Sequence, residues 1–211
     1  METIKKEKNM TDYYYTQNPK VLHEKKQWQF TLLKQNLTFN SDNGVFSKNT
    51  IDFGTRTLLE ALDLNEITGN VLDVGCGYGP MGLAIAKALP AVHVDLVDVN
   101  LRALALCKEN AEQNNITNVA IWESDTYDKV EKTDYQTIVS NPPVRAGKAI
   151  VTKILFDAKK YLQIDGMLII VLQKKQGAPS AKKTMKQVFG NAEIIHKQKG
   201  YYIIKSVKES Q

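Results

Sequence analysis

Cysteine and histidine are scarce in this 211-residue chain, with two of the first and three of the second. Two cysteines cannot frame a disulfide scaffold, and Cys76 and Cys107 stand too far apart in sequence for a zinc or redox motif. A reducing compartment, the cytoplasm, is the expected home. His23, His93 and His196 share no ligand spacing, so no metal site is expected. Long apolar runs are missing too: the longest, residues 167–172, falls far short of the ~20 needed to span a membrane. The first ten residues alternate charged and apolar positions without a hydrophobic segment, which predicts no secretory signal. Neither an internal repeat nor a low-complexity linker interrupts the chain. With 43% hydrophobic and 24% charged residues, its composition is that of a soluble globular protein rather than a disordered one.

Neither sign of charge is lacking, but the two are unevenly placed. Twenty-eight Lys and Arg against 23 Asp and Glu leave a net +5, which permits a polyanionic partner without demanding one. Residues 1–70 carry 9 basic and 9 acidic side chains, residues 71–140 carry 5 and 10, and residues 141–211 carry 14 and 4. The segments therefore have net charges of 0, −5 and +10, so the modest total hides a strong asymmetry.

Hydrophobic periodicity predicts an α/β chain. Residues 27–33 and 37–41, split by the polar Lys34-Gln35-Asn36, read as a β-hairpin, and residues 51–62 as an amphipathic helix with Ile51, Leu58, Leu59 and Leu62 on its apolar face. From residue 71 strands and helices alternate: strand 71–74, helix 80–89, strand 92–97, helix 100–114, strand 119–122, strand 136–140, helix 149–162 and strand 166–173. Such alternation requires crossover connections and predicts a doubly wound, Rossmann-like, mostly parallel sheet. A basic helix over 178–189 follows. Two β-like runs, 192–196 and 201–207, joined through Gly200, are expected to close one sheet edge as an antiparallel hairpin.

Between the first strand and first helix of this alternation lies Val71-Leu72-Asp73-Val74-Gly75-Cys76-Gly77-Tyr78-Gly79-Pro80, the region where open α/β sheets bind ligands. Pro80 suits the first helical position, where its missing N–H would be unpaired in any case. Two cofactors compete for this turn. Gly77-Tyr78-Gly79-Pro80-Met81-Gly82 satisfies the dinucleotide pattern GxGxxG, with Asp98 ~20 residues on to hold a ribose, which would make the chain an NAD-binding module. Asp73 argues against it, because a carboxylate at the strand end repels a pyrophosphate and suits a ligand carrying an ammonium and a sulfonium. The Asp-x-Gly-x-Gly-x-Gly run from Asp73 to Gly79 resembles the first motif of the class I S-adenosylmethionine-dependent methyltransferases. That resemblance implies S-adenosylmethionine as the cofactor, with Asp73, Gly75, Gly77, Gly79, Val99 and Thr126 around it, Asp98 at the ribose hydroxyls and Asp125 where the family contacts the adenine. The competing reading makes Asp98 a helix cap and Asp125 a turn residue.

The strand over 136–140 ends in Asn141-Pro142-Pro143-Val144. Prolines end strands in any protein, but this turn also places acceptors where methyl transfer to an amino group needs them. A conjugated NH₂ has its lone pair delocalised. The side-chain carbonyl of Asn141 and the backbone carbonyl of Pro142, accepting from that NH₂, favour a tetrahedral, positively charged nitrogen over the flat ground state. Alignment of amine, methyl and sulfur supplies much of the remaining acceleration.

Gly44-Val45-Phe46-Ser47, Asp52-Phe53-Gly54-Thr55, residues 71–80 and Asn141-Pro142-Pro143, in this order and spacing, resemble the methyltransferase small domain of the ribosomal RNA guanine-N2 methyltransferases, the RsmC-like group acting on 16S rRNA. The likeness implies a single methyltransferase domain over residues 20–207, after an N-terminal segment 1–19. Within it, 20–68 form a hairpin and helix, and 69–207 the catalytic α/β core. It further implies Asn141 and Pro142 as catalytic residues and Thr55 beside the cofactor. Phe46, Ser47, Pro143, Val144, Arg145 and Lys148 would meet the substrate, which is ribosomal RNA or the small ribosomal subunit. On patterning alone, Phe46, Ser47 and Thr55 read as a plain hairpin exit and helix start.

Two departures from the family qualify the likeness. The wider Asn-Pro-Pro class places Tyr or Phe after the second proline to stack on the target, where this chain has Val144. Phe46, Tyr78 or a tyrosine of the Tyr13-Tyr14-Tyr15 run are candidates for the missing face. The two-domain relatives also carry a degenerate second half that this chain is expected to do without. RNA binding would then fall to Arg145 and Lys148, and to Lys174, Lys175, Lys182, Lys183 and Lys186, for which a solvated face is the alternative. Recognition of one guanine would come from RNA shape and a flipped-out base. A protein-glutamine or DNA-adenine amino methyltransferase would share the same core, although the DNA version normally needs a target-recognition segment for which no length is spare.

Overall fold

Alternating side chains of β1 (Lys26–Leu32) and β2 (Gln35–Ser41) set Trp28 opposite Phe39 and bury Leu32, Leu37 and Phe39. The computed structural model describes residues 16, 17, 22 and 24–210; His23, the Tyr13-Tyr14-Tyr15 run and most of the expected N-terminal segment lie outside the described residues. The hairpin turn is Leu33-Lys34, shorter than the polar Lys34-Gln35-Asn36 suggested. Both residues have positive φ, 48° and 63°, the conformation whose twist matches a two-residue hairpin.

Helix α1 (Phe53–Ala61) starts two residues after its apolar pattern does, because Asp52 takes the N-cap and its Oδ2 accepts from the Thr55 N–H at 3.2 Å. The alternation then runs β3 (Val71–Val74), α2 (Pro80–Ala88), β4 (Val94–Asp98), α3 (Leu101–Gln113), β5 (Val119–Glu123), β6 (Tyr135–Ser140), α4 (Lys148–Tyr161), β7 (Leu162–Gln173), α5 (Ala178–Phe189), β8 (Glu193–Gln198) and β9 (Tyr201–Val207). The larger sheet has the order β5-β4-β3-β6-β7-β9-β8. Its first five strands are parallel, and β9 runs antiparallel to both its neighbours. Strand β7 begins at Leu162 rather than at Gly166 and is irregular against β6 between Tyr135 and Thr137. A side chain at Gly166 would stand 2.8 Å from the Tyr135 carbonyl oxygen, so this glycine marks a close backbone approach inside a strand, not its start.

Side chains of successive strand residues enter different cores. Val71, Leu96, Val139 and Ile169 pack with the hairpin and with Leu58, Leu83 and Leu104 of α1, α2 and α3. Leu72, Val97, Ile138 and Leu168 pack with Ile154 of α4 and Met185 of α5. Burial of each such side chain contributes roughly 1.5–3 kcal/mol, which fixes the sheet between its two helical layers.

The hairpin is held to α3 by side-chain amides. Asn110 Oδ1 accepts from the Asn40 N–H at 2.7 Å, and its Nδ2 donates to the Asn40 carbonyl at 3.1 Å. One helical turn on, Asn114 makes the same pair with the N–H and carbonyl of Thr38, at 2.9 and 2.7 Å. The outer edge of β2 is thus paired with two carboxamides. Among the described residues no helix is long and apolar enough to cross a membrane. No group of three or more His, Cys, Asp and Glu among them is placed to hold a metal ion.

Candidate active site

The C-terminal ends of β3, β4 and β6 open into a cavity of about 410 Å³. It lies where the strand order reverses about β3, with β4 on one side and β6 on the other. The Ser140 hydroxyl donates to the Val74 carbonyl at 2.7 Å and ties the ends of β6 and β3 together beneath it.

The glycine turn forms one wall. Gly75, Gly77 and Gly79 all have positive φ, 77°, 58° and 90°, and a side chain on Gly79 would stand 2.5 Å from the Cys107 sulfur. The Gly77 N–H donates to Asp98 Oδ2 and the Gly82 N–H to Asp73 Oδ2, each at 2.8 Å. A pyrophosphate at the start of α2 would need amides of this kind. Here they serve carboxylates, which disfavours the dinucleotide reading.

Asp73 is wholly buried and its Oδ1 has no hydrogen-bond partner among the described residues. Burial pushes its pKa from 3.8 up to about 7, with the Gly82 amide opposing the rise and the charge of Asp98 adding to it. Burial raises Asp98 as well, against the pull of the Asn100, Gly77 and Val99 amides. Two desolvated carboxylates side by side make a wall complementary to a cationic ligand.

Asn141 faces this wall from the end of β6. Its Nδ2 donates to Asp52 Oδ2 at 2.9 Å and to Thr55 Oγ1 at 3.0 Å. Both amide hydrogens therefore have acceptors, which fixes the flip of the carboxamide and commits Oδ1 to the acceptor role. The Pro142 carbonyl accepts from the Val144 N–H at 2.8 Å and keeps its second lone pair.

Around these groups the cavity is lined by Phe46, Ser47, Thr55, Pro143, Val144 and Arg145, together with Asp73, Gly75, Gly77 and Asp98; Gly79, buried against Cys107 and Leu83, does not line it. Val99 and Thr126 instead border a small recess beside Gly75, Asp98 and Pro143. Asp125 lines neither space, and Lys148 sits exposed at the first position of α4, outside the cavity. Tyr78 does not offer a stacking face. Its ring packs edge-on against Trp28 and Phe39, its hydroxyl donates to the Ser47 carbonyl at 3.2 Å, and it is 2% exposed. Among the described residues, the aromatic faces left at the cavity are Phe46, 51% exposed, and Tyr201.

Tyr201 and Asp52 are site residues that the sequence did not single out. Tyr201 opens β9 and packs on Phe53, with ring centroids 5.4 Å apart. Its place at the cavity depends on the strand order, which no local pattern encodes. For Asp52 a signal existed, an N-cap carboxylate two residues before Gly54. The two cysteines, distant in sequence, also become neighbours: burial raises the Cys76 thiol well above its ordinary range, and the adjacent Cys107 raises it further.

Comparison with known proteins identifies the family and the fold. A family model described as methyltransferase small domain matches residues 36–205. YbxB of Bacillus subtilis (strain 168), itself uncharacterized, is 46% identical over 94% of this chain and all of its own length. The ribosomal RNA small subunit methyltransferase C of Vibrio parahaemolyticus is 34% identical over 84% of this chain, which spans 51% of that protein's length. Among solved structures, the Thermus thermophilus 16S rRNA N2 G1207 methyltransferase, solved with AdoMet and guanosine, has the same fold. Its TM-score is 0.79 at 24% identity, over 88% of this chain and 51% of its own.

Proposed function

The chain belongs to the methyltransferase small domain family, and on that premise we propose that it moves a methyl group from S-adenosylmethionine to the exocyclic N2 of a guanine in 16S ribosomal RNA, in the cytoplasm. The observation that carries this reading is the locked carboxamide of Asn141, whose Nδ2 is committed as a donor and whose Oδ1 is left to accept, at a cavity that the buried Asp73 and the half-buried Asp98 also line.

The residues fit the cofactor. Asp73 Oδ1, buried and unpartnered, suits an ammonium group, and Asp98 suits ribose hydroxyls beside the glycine turn. The recess bordered by Val99, Ser124 and Thr126 is the place for the adenine edge. S-adenosylmethionine, when bound, supplies a methyl made electrophilic by its sulfonium. Asn141 Oδ1 and the Pro142 carbonyl accept from the target NH₂ and draw its nitrogen toward a tetrahedral form. Phe46 and Tyr201 provide aromatic surface for a flipped base in place of the side chain that Val144 lacks. Arg145, exposed at the cavity rim, is positioned to meet the phosphates of a strand led toward Asn141.

Labelled S-adenosylmethionine incubated in parallel with naked rRNA, assembled small subunits, total protein and DNA tests the reading. Label in 16S rRNA, released by digestion as N2-methylguanine, is expected. Label confined to protein or to DNA adenine would replace the substrate with that of another Asn-Pro-Pro enzyme.

A further inference from the structure

One turn along α1 from Asp52 stands a cation with an unusual environment. The guanidinium of Arg56 lies between two aromatic rings, 5.6 Å from the centroid of Phe30 and 5.2 Å from that of Phe53. Its Nε is buried and has no hydrogen-bond partner among the described residues. Among the described residues no carboxylate pairs with it, although Asp52 and Glu60 are spaced four positions away on either side. Asp52 is engaged instead by Asn141 and by the cap. A second cation, Lys199 Nζ, lies 5.1 Å from the same Phe53 ring, carried there by the two-residue turn between β8 and β9.

Arg56 is only half-buried, and a guanidinium held against two rings with no carboxylate partner is preorganised for one kind of ligand, an oxyanion that can take two of its N–H groups at once. Two positive charges held against one ring, neither in an ion pair among the described residues, favour the same partner. The position is specific too. Phe53 packs on Tyr201, which lines the cavity, and Thr55, adjacent to Arg56 in the chain, holds Asn141. Arg56 does not itself line the cavity, so an anion held there would lie beside the site, next to residues that do line it.

We propose that Arg56, backed by Lys199, is a phosphate clamp for the RNA strand flanking the target nucleotide. The proposal rests on the reading of RNA as substrate and adds to it a fixed point for the backbone. Together with Arg145 at the cavity, the clamp gives the strand a second backbone contact beside the flipped base. The Phe30 and Phe53 rings hold the guanidinium flat and in place, so replacement by Lys keeps the charge but not the fork.

The test uses wild type, Arg56→Met, Arg56→Lys and Lys199→Gln, with whichever rRNA form, naked 16S rRNA or assembled small subunit, the wild type methylates. RNA affinity is measured against salt concentration and S-adenosylmethionine affinity by calorimetry. Arg56→Met is expected to bind RNA about tenfold more weakly, with a salt dependence shallower by roughly 0.7 in log–log slope and unchanged cofactor affinity. Arg56→Lys should recover the slope and only part of the affinity. Unchanged affinity and slope in Arg56→Met would overturn the clamp, as would a loss of affinity with the slope intact, which marks disturbed packing rather than the removal of a phosphate partner. Lys199 is exposed, so its variant decides the matter on the same slope if Arg56→Met does not fold. If wild type methylates neither rRNA form, the substrate reading fails and the clamp with it; if wild type methylates rRNA and the variants match it, the clamp alone fails.

Discussion

Asp52 and Asn141 are 89 residues apart in sequence and 2.9 Å apart in space, joined by a bond in which the carboxamide of Asn141 is the donor. Asp52 caps α1 with the same oxygen that receives Asn141, so the start of a helix outside the α/β alternation sets the orientation of the side chain at the end of β6.

Asn141→Ala should keep its affinity for S-adenosylmethionine and lose turnover. Asp52→Ser retains a helix cap but cannot reach Asn141, so kcat should fall about 10- to 100-fold while cofactor affinity stays near wild type. Single-turnover kinetics with calorimetry separates these effects. Full activity in Asn141→Ala would remove the proposed mechanism, and full activity in Asp52→Ser would remove the positioning role.

Asp98→Ala should weaken S-adenosylmethionine binding by about tenfold or more, because the variant lacks an acceptor for ribose hydroxyls and leaves the Gly77 N–H without its carboxylate. Equilibrium binding by calorimetry checks this, and wild-type affinity would take Asp98 out of the cofactor site.

The carboxyl of Asp73 gives the protein a pH dependence with two opposite signs. Its folded pKa, about 7, lies above its ordinary 3.8, so in the free protein the native state holds a proton that the unfolded chain releases. The stability contributed by this group is full below about pH 4 and falls as pH rises toward 7. A cationic ligand needs the ionised form, so cofactor affinity should rise over the same range and binding should release a proton. Calorimetry in buffers of different ionisation enthalpy measures that proton. Asp73→Asn should abolish both trends, and a flat wild-type profile would show that Asp73 does not face the ammonium.

Helix α5 exposes Lys183 and Lys186 and half-buries Lys182, while Ala178, Ala181, Met185 and Phe189 fill its inner stripe. Replacing the three lysines with alanine leaves that stripe intact. RNA affinity in the triple variant should become less salt-dependent, by roughly 0.7–0.9 in slope for each phosphate that is no longer neutralised. An unchanged slope would return these lysines to an ordinary solvated surface.

Much of the fold was legible because its signals are local. The helix over 178–189 and the strand over 201–207 have the bounds that their periodicity gave, and the alternation from Val71 onward specified the parallel sheet. Departures occur where a distant backbone or side chain decides. Gly166 read as a strand start, but the carbonyl of Tyr135 across the sheet is what requires glycine there. Tyr78, beside the glycine turn, was a reasonable stacking candidate until the hairpin supplied Trp28 and Phe39 to cover it. The cavity lining follows the same division: Asp73, Asp98 and Asn141 stand at strand ends visible in the pattern, whereas Tyr201 arrives through strand order alone.

The carboxamides of Asn110 and Asn114 have a further effect, on the protein's solubility. A two-stranded ribbon has an open edge whose N–H and carbonyl groups invite another chain to add a strand. By presenting side-chain amides to Thr38 and Asn40, α3 imitates that strand and occupies the edge from within the molecule. Replacing Asn114 with alanine would remove half of this internal decoy without touching the bond from Asn110 to the Tyr78 carbonyl in the glycine turn, and self-association measured by sedimentation should then rise.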